Sequence, residues 1–174
     1  MPVDPTILAS GPAEGAVRRF VARTRNLLTM VLAFALLMGP SLTEASDLFK
    51  GDPLWERLQG IAAAQKGEHE KAIEHFTNAI EAGAYADNLL APVFLNRSSS
   101  YFALGEYGKS IADANRVIAI EPANAIAHAL RATAFRDSGE TAKALEDFKL
   151  AYELGYRDDW VREFLIANGV RVEE

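Results

Sequence analysis

From Asp52 to Gly169 the apolar residues recur at three- and four-residue spacings, the period that places them on one face of a helix. The pattern is plainest between Ala91 and Pro122. Phe94, Leu95, Tyr101 and Phe102 mark one segment, and Ile111, Ala114, Val117 and Ile118 mark the next. Leu104-Gly105-Glu106 joins them and Glu121-Pro122 closes them. On either side the pattern predicts more of the same. Asp52-Pro53 opens a helix through Leu54, Trp55, Leu58, Ile61 and Ala62 that ends at Lys66-Gly67, because Asp accepts from free N–H groups and Pro lacks the one that has no partner there. A second helix covers His69 to Ala82, with Ala72, Ile73, Phe76, Ala79 and Ile80 inward and Gly83 as its stop. The helix of the plainest stretch begins at Asn88 or Leu89. Asn124 caps another, carrying Leu130, Ala134 and Phe135. Thr141 to Leu154 follows, with Ala144, Leu145, Phe148, Ala151 and Tyr152 inward. Asp158-Asp159 then cap Trp160 to Asn168, stopped by Gly169. A single helical hairpin cannot bury its apolar face alone, so these units require one another.

The units are copies. Lys66-Gly67-Glu68-His69, Leu104-Gly105-Glu106-Tyr107 and Ser138-Gly139-Glu140-Thr141 are one turn written three times, their glycines 38 and 34 residues apart. Five residues past each glycine stands a small residue: Ala72, Ser110, Ala144. Nine past it are Phe76, Ala114 and Phe148. Seven before it are Gly60, Ser98 and Ala132. Small residues at fixed places let paired helices approach, and a large neighbour fills the space beside them. A period of 34 with this pattern resembles the tetratricopeptide repeat family. The residues that carry the likeness are Gly60, Gly67, Ala72, Phe76 and Ala79; then Ser98, Tyr101, Gly105, Ser110, Val117 and Pro122; then Ala132, Phe135, Gly139, Ala144, Phe148 and Ala151. The chain departs from the family pattern in four extra residues near Tyr85 to Leu90, in Ala114 where an aromatic is usual, and in Tyr156 at the place of the closing proline. The resemblance implies an all-α fold: a short right-handed α-solenoid of three repeats, 53–86, 91–124 and 125–158, with a capping helix at 159–169 and a tail at 170–174.

Residues 1–45 read differently. Met1 to Gly15 lacks pattern and is expected to be disordered. Arg18, Arg19, Arg23 and Arg25 then precede an uncharged run from Asn26 to Thr43 with an apolar centre, Leu27 to Met38. Thr43 and Ala45 suit a cut before Ser46. This is the make-up of a secretory signal peptide, or, if retained, of a membrane anchor over 26–43; residues 46–52 are a linker. Either way the arginines stay in the cytoplasm and the repeats are exported, to the periplasm or a membrane surface facing it. Together with the absence of cysteine, this points to a bacterial cell envelope.

The net charge of −6 argues against a nucleic-acid partner, and a chain without cysteine has no disulfides, thiolate metal sites or thiol nucleophile. His69 and His75 are six apart, too far round a helix for two ligands of one metal, and all three histidines, with His128, read as surface residues. Among Ser98-Ser99-Ser100, Ser98 occupies a packing position. Asp158-Asp159 reads as a helix cap and Glu173-Glu174 as a solvated tail. No phosphate loop or catalytic motif appears. The expectation is a non-enzymatic protein–protein interaction module without cofactor or metal.

In the family the first helix of each repeat lines a concave groove. Carried over by position, the resemblance implies a groove of Arg57, Ile61, Leu95, Asn96, Ser99, Phe102, Thr133 and Arg136, contacting an extended or helical peptide. Some members grip a C-terminal carboxylate of heat-shock chaperones with a Lys/Asn/Asn/Lys/Arg set. Here Arg57 stands for the first Lys and Asn96 for the second Asn, but Ile61, Ile126 and Leu130 break the set and Arg131 is one residue out of register. That ligand is not expected. The alternatives are a membrane-anchored envelope assembly factor using the same groove and a structural, self-associating module.

Overall fold

The computed structural model describes residues 49–83 and 87–172. The chain divides into two units, Met1–Lys50 and Gly51–Glu174. Of the first, only Phe49 and Lys50 are described, in a turn. The expected signal or anchor therefore lies outside the described residues, and among those residues no helix is long and apolar enough to cross a membrane.

The described part of the second unit is all helical: α1 (Pro53–Gln65), α2 (His69–Glu81), α3 (Asp87–Ala103), α4 (Tyr107–Ile120), α5 (Ala125–Asp137), α6 (Thr141–Glu153) and α7 (Asp159–Ala167). Three of the starts have a side-chain cap in the sequence. Asp52 Oδ1 accepts from the amides of Leu54 and Trp55 (2.9 and 3.0 Å), Asn124 Oδ1 from that of Ala127 (2.9 Å), and Asp158 from that of Trp160 (3.1 Å). The repeated glycine turn closes α1, α3 and α5. At α1 the Glu68 amide donates to the Ala63 carbonyl and the Gly67 amide to that of Ala64, both at 3.0 Å. This double closure needs a left-handed residue, and Gly67 supplies φ 77°. Glu106 with Gly105 and Glu140 with Gly139 repeat it.

Helices pack in sequence: α1 on α2, α3 on α4, α5 on α6, then hairpin on hairpin through α2–α3 and α4–α5, with α7 on α6. Each interface has its own apolar cluster. Phe76 lies among Ala63, Ala72, Ala79 and Val93; Phe94 and Val117 meet Ala91 and Ala127; Phe148 and Tyr152 meet Ala132, Val161 and Leu165. In the middle hairpin Ser98 Oγ donates to the Ser110 carbonyl (2.8 Å), so the position expected to serve packing does so with a hydrogen bond.

Three expectations need correction. First, α3 begins at Asp87 and has 17 residues, against 13 in α1 and α5. The four extra residues are an added helical turn before Ala91, not a longer linker. Pro92, which would sit harmlessly in the first turn, becomes an interior proline. Second, Leu58 is exposed; α1 turns Glu56, Gly60 and Ala63 inward instead, because the two small residues let α2 approach. Third, the histidines are not plain surface residues. His128 is 3% exposed. Its Nε2 donates to the Pro122 carbonyl (3.0 Å), and its Nδ1 is 3.2 Å from Asp147. His75 Nδ1 donates to Glu56 (2.7 Å).

His75 and His128 belong to a repeated polar seam. Arg97 makes a two-pronged contact with Asp113 (2.7 and 2.8 Å) and donates to Thr77 of the preceding hairpin (2.9 Å). Thirty-four residues on, Arg131 does the same with Asp147 (2.6 Å twice) and Asn115 (2.6 Å). Burial disfavours the charged Arg97, but the hydrogen bond and charge of Asp113 more than restore it. In the first hairpin the signs are exchanged, with Glu56 on the first helix and His75 on the second. These pairs tie each hairpin together, and the arginines reach back to the one before.

A groove on the first-helix layer

The first helices α1, α3 and α5 also touch one another, α1 with α3 and α3 with α5, and so form one layer. Two depressions lie along it and meet at Asn96 and Ser99. Between α3 and α5 the walls are Leu95, Asn96, Ser99, Ile126, Ala129, Leu130 and Thr133, with Tyr156. Toward α1 they are Ile61, Ala64, Gln65, His69, Phe76 and Ser100, again with Asn96 and Ser99.

Helical rotation explains this from the serine run. Successive residues differ by roughly 100° around the axis, so Ser98 points into α4, Ser100 is buried and donates to the Asn96 carbonyl (3.1 Å), and Ser99 is left facing the groove. Asn96 is one turn before Ser99 on the same face. The Asn96 carboxamide and the Ser99 hydroxyl make no hydrogen bond to any described residue, whereas Thr133 Oγ1 donates to the Ala129 carbonyl (2.8 Å).

Five of the eight expected groove residues thus come together: Ile61, Leu95, Asn96, Ser99 and Thr133. The other three line neither depression. Phe102 packs on Tyr107, ring centres 5.6 Å apart. Arg136 pairs with Asp137 (2.6 Å) and lies over the Trp160 ring at 4.9 Å. Arg57 stands on α1 at the place that Leu95 and Ala129 hold on α3 and α5, and its Nε is buried with no hydrogen-bond partner among the described residues. Tyr156 and His69 are groove residues that periodicity misses. Tyr156 lies in the loop after α6 and His69 is the first residue of a second helix, so neither is on the first-helix faces that the period assigns.

Both ring nitrogens of His128 are engaged by Asp147 and Pro122, which leaves none to take a proton from a nucleophile. Among the described residues no three His, Cys, Asp or Glu side chains gather as metal ligands would.

Comparison with known proteins agrees with the geometry. The tetratricopeptide repeat model matches residues 91–124. Heat shock protein STI1 of Saccharomyces cerevisiae is 31% identical over 109 residues, 63% of this chain and 18% of the relative. RNA polymerase II-associated protein 3 of Xenopus tropicalis is 32% identical over 101 residues, 58% of this chain and 15% of the relative. The chain therefore spans less than a fifth of either. Among solved structures, the first TPR of Spaghetti (RPAP3) bound to the HSP90 peptide SRMEEVD superposes with a TM-score of 0.59 at 22% identity, over 66% of this chain and 88% of that one. The Arabidopsis OM64 TPR domain gives 0.59 at 22%, over 66% and 92%. Likeness at that level speaks for the fold alone. With the model match at 91–124, the repeat spacing, the glycine closures and the stacked hairpins lead to one conclusion: the chain carries a tetratricopeptide repeat at 91–124, within a stack of hairpins of the same fold.

Proposed function

We propose that this chain is a non-enzymatic interaction module that holds a peptide segment of a protein partner along α1, α3 and α5. The observation that carries the reading is the pair of depressions meeting at Asn96 and Ser99, whose polar side chains have no hydrogen-bond partner among the described residues. A peptide supplies both the apolar side chains for such depressions and the amide groups for such a carboxamide. That a first TPR of the same fold is bound to the peptide SRMEEVD supports a peptide as the kind of ligand.

A photocrosslinking residue at Ser99 tests this in the native source. Adducts with a protein partner are expected from Ser99 and not from Glu146, which is exposed on α6. Adducts from Glu146 alone would move the binding surface off the groove.

The reading extends to place. The four arginines between 18 and 25, followed by the uncharged run 26–43, support export and a working site in a bacterial envelope, periplasmic or membrane-anchored. Sequencing the N-terminus of the mature protein separates the two: a start at Ser46 means a cleaved signal, and an intact basic segment in the membrane fraction means an anchored assembly factor. A cytosolic, intact protein overturns both. Self-association is a second reading, favoured by Leu150 on α6 and Leu154 at its C-terminal cap, both exposed. Light scattering across a dilution series would sink it by finding only monomer.

A further inference from the structure

We propose that the groove selects an uncharged, aliphatic-rich stretch from within its partner's chain, with Asn96 holding the main chain, and not an acidic C-terminus. This rests on the groove reading above and names its ligand class.

The argument is one of charge and free valence. Ile61, Leu95, Ile126 and Leu130 make the apolar walls, and Asn96, Ser99 and Thr133 are polar but neutral. No Lys, Arg, Asp or Glu lines either depression. The arginines nearest in sequence are turned away and engaged. Arg97 and Arg131 are each one residue past a groove position, about 100° further round the helix, and are held by Asp113 and Asp147. Arg136 is held by Asp137 and Trp160. An acidic tail such as SRMEEVD would bring several carboxylates against aliphatic walls with no counter-charge, and would approach a chain of net charge −6. Arg57, at the α1 end, is a single cation.

A neutral internal segment meets none of these penalties. An extended strand sends alternate side chains to one side, into the two depressions, while the peptide group between them faces the Asn96 carboxamide, which both donates and accepts. Such a grip does not depend on where the partner's chain ends.

The probes are dodecapeptides displayed on an array, capped at both ends, in aliphatic-rich neutral form and with the aliphatic residues changed to Glu, together with SRMEEVD carrying a free or amidated C-terminus. The folded second unit is presented as part of the full chain. Neutral capped peptides are expected to be retained, and to lose roughly tenfold in affinity on Asn96→Ala. Salt that screens surface charge should hardly change their binding, and SRMEEVD should bind roughly tenfold more weakly or not at all. The inference is overturned if SRMEEVD is preferred and that preference disappears on amidation, in high salt or in Arg57→Gln; the groove reading then survives with a different ligand. If neither peptide class is retained, the groove reading falls, and this inference with it.

Discussion

Gly60 shows how far one atom matters in this fold. A Cβ built there would stand 2.6 Å from Phe76 Cε1, and Phe76 has no exposed surface into which to retreat. Gly60→Ala therefore sets a gain in helix propensity against overpacking that costs about 1–3 kcal/mol. Net destabilisation of about 1–2 kcal/mol is expected in chemical denaturation; a more stable variant would show that α1 and α2 can separate freely. Glu56 is a second single-residue case. Burial raises its pKa, but hydrogen bonds from His75, the Gly51 amide and Asn78, with the charge of His75, more than offset this and hold it below its ordinary value of 4.5. A carboxylate lowered by folding contributes stability that is complete above pH about 4.5 and is lost as pH falls through the folded value. Glu56→Gln should accordingly be less stable than wild type at neutral pH, with the difference shrinking in acid. A difference that held constant into acid would mean that the pairing with His75 contributes nothing.

At the scale of the element, α3 is the instructive helix. Its added turn before Ala91 leaves the ring of Pro92 where a donor to the Asn88 carbonyl belongs. Interior proline costs a helix about 3 kcal/mol, part of which the surrounding packing absorbs. Pro92→Ala should raise the melting temperature, corresponding to about 1 kcal/mol or more. A lower melting temperature would show that the ring fills a site the hairpins need. Periodicity placed α3 correctly from Ala91 onward because its apolar face follows the repeat. The expected start at Asn88 or Leu89 lies within two residues of Asp87, but the family pattern counts the four added residues as linker, and continuing a helix backward breaks no rule a sequence displays. Among the groove residues the same holds. Ile61, Leu95, Asn96, Ser99 and Thr133 follow the repeat register and were legible. Phe102 and Arg136 were assigned by the same register, but Tyr107 and Trp160 occupy their side chains.

Over the whole second unit, the solenoid must end, and α7 ends it. Val161 and Leu165 are fully buried against Phe148 and Tyr152, and Trp160 and Phe164 meet the Phe148 ring edge-on at 5.0 and 5.2 Å. Burying two such aliphatic side chains contributes about 3–6 kcal/mol before the cost of ordering the helix. A chain stopped after Asp158 should unfold at lower denaturant than the full chain, expose its third hairpin to proteolysis and tend to associate. An unchanged midpoint would mean that the third hairpin is stable without its cap.

The sequence alone determined the number of hairpins, their register, the glycine closures and the face each first helix gives to the groove. All are consequences of short-range periodicity and of backbone needs at a turn. Only the tertiary structure decided the rest. Residues 16 to 19 apart on antiparallel helices became partners: Arg97 with Asp113, Arg131 with Asp147, Glu56 with His75. Those pairings drew histidines expected at the surface into the seam, because a buried carboxylate must find a donor. They also hold Arg97 and Arg131 away from the groove, whose walls between Ile61 and Thr133 carry no Lys, Arg, Asp or Glu. A helical period states which face a residue is on; which charges survive unpaired on that face is settled only when a second helix arrives beside it.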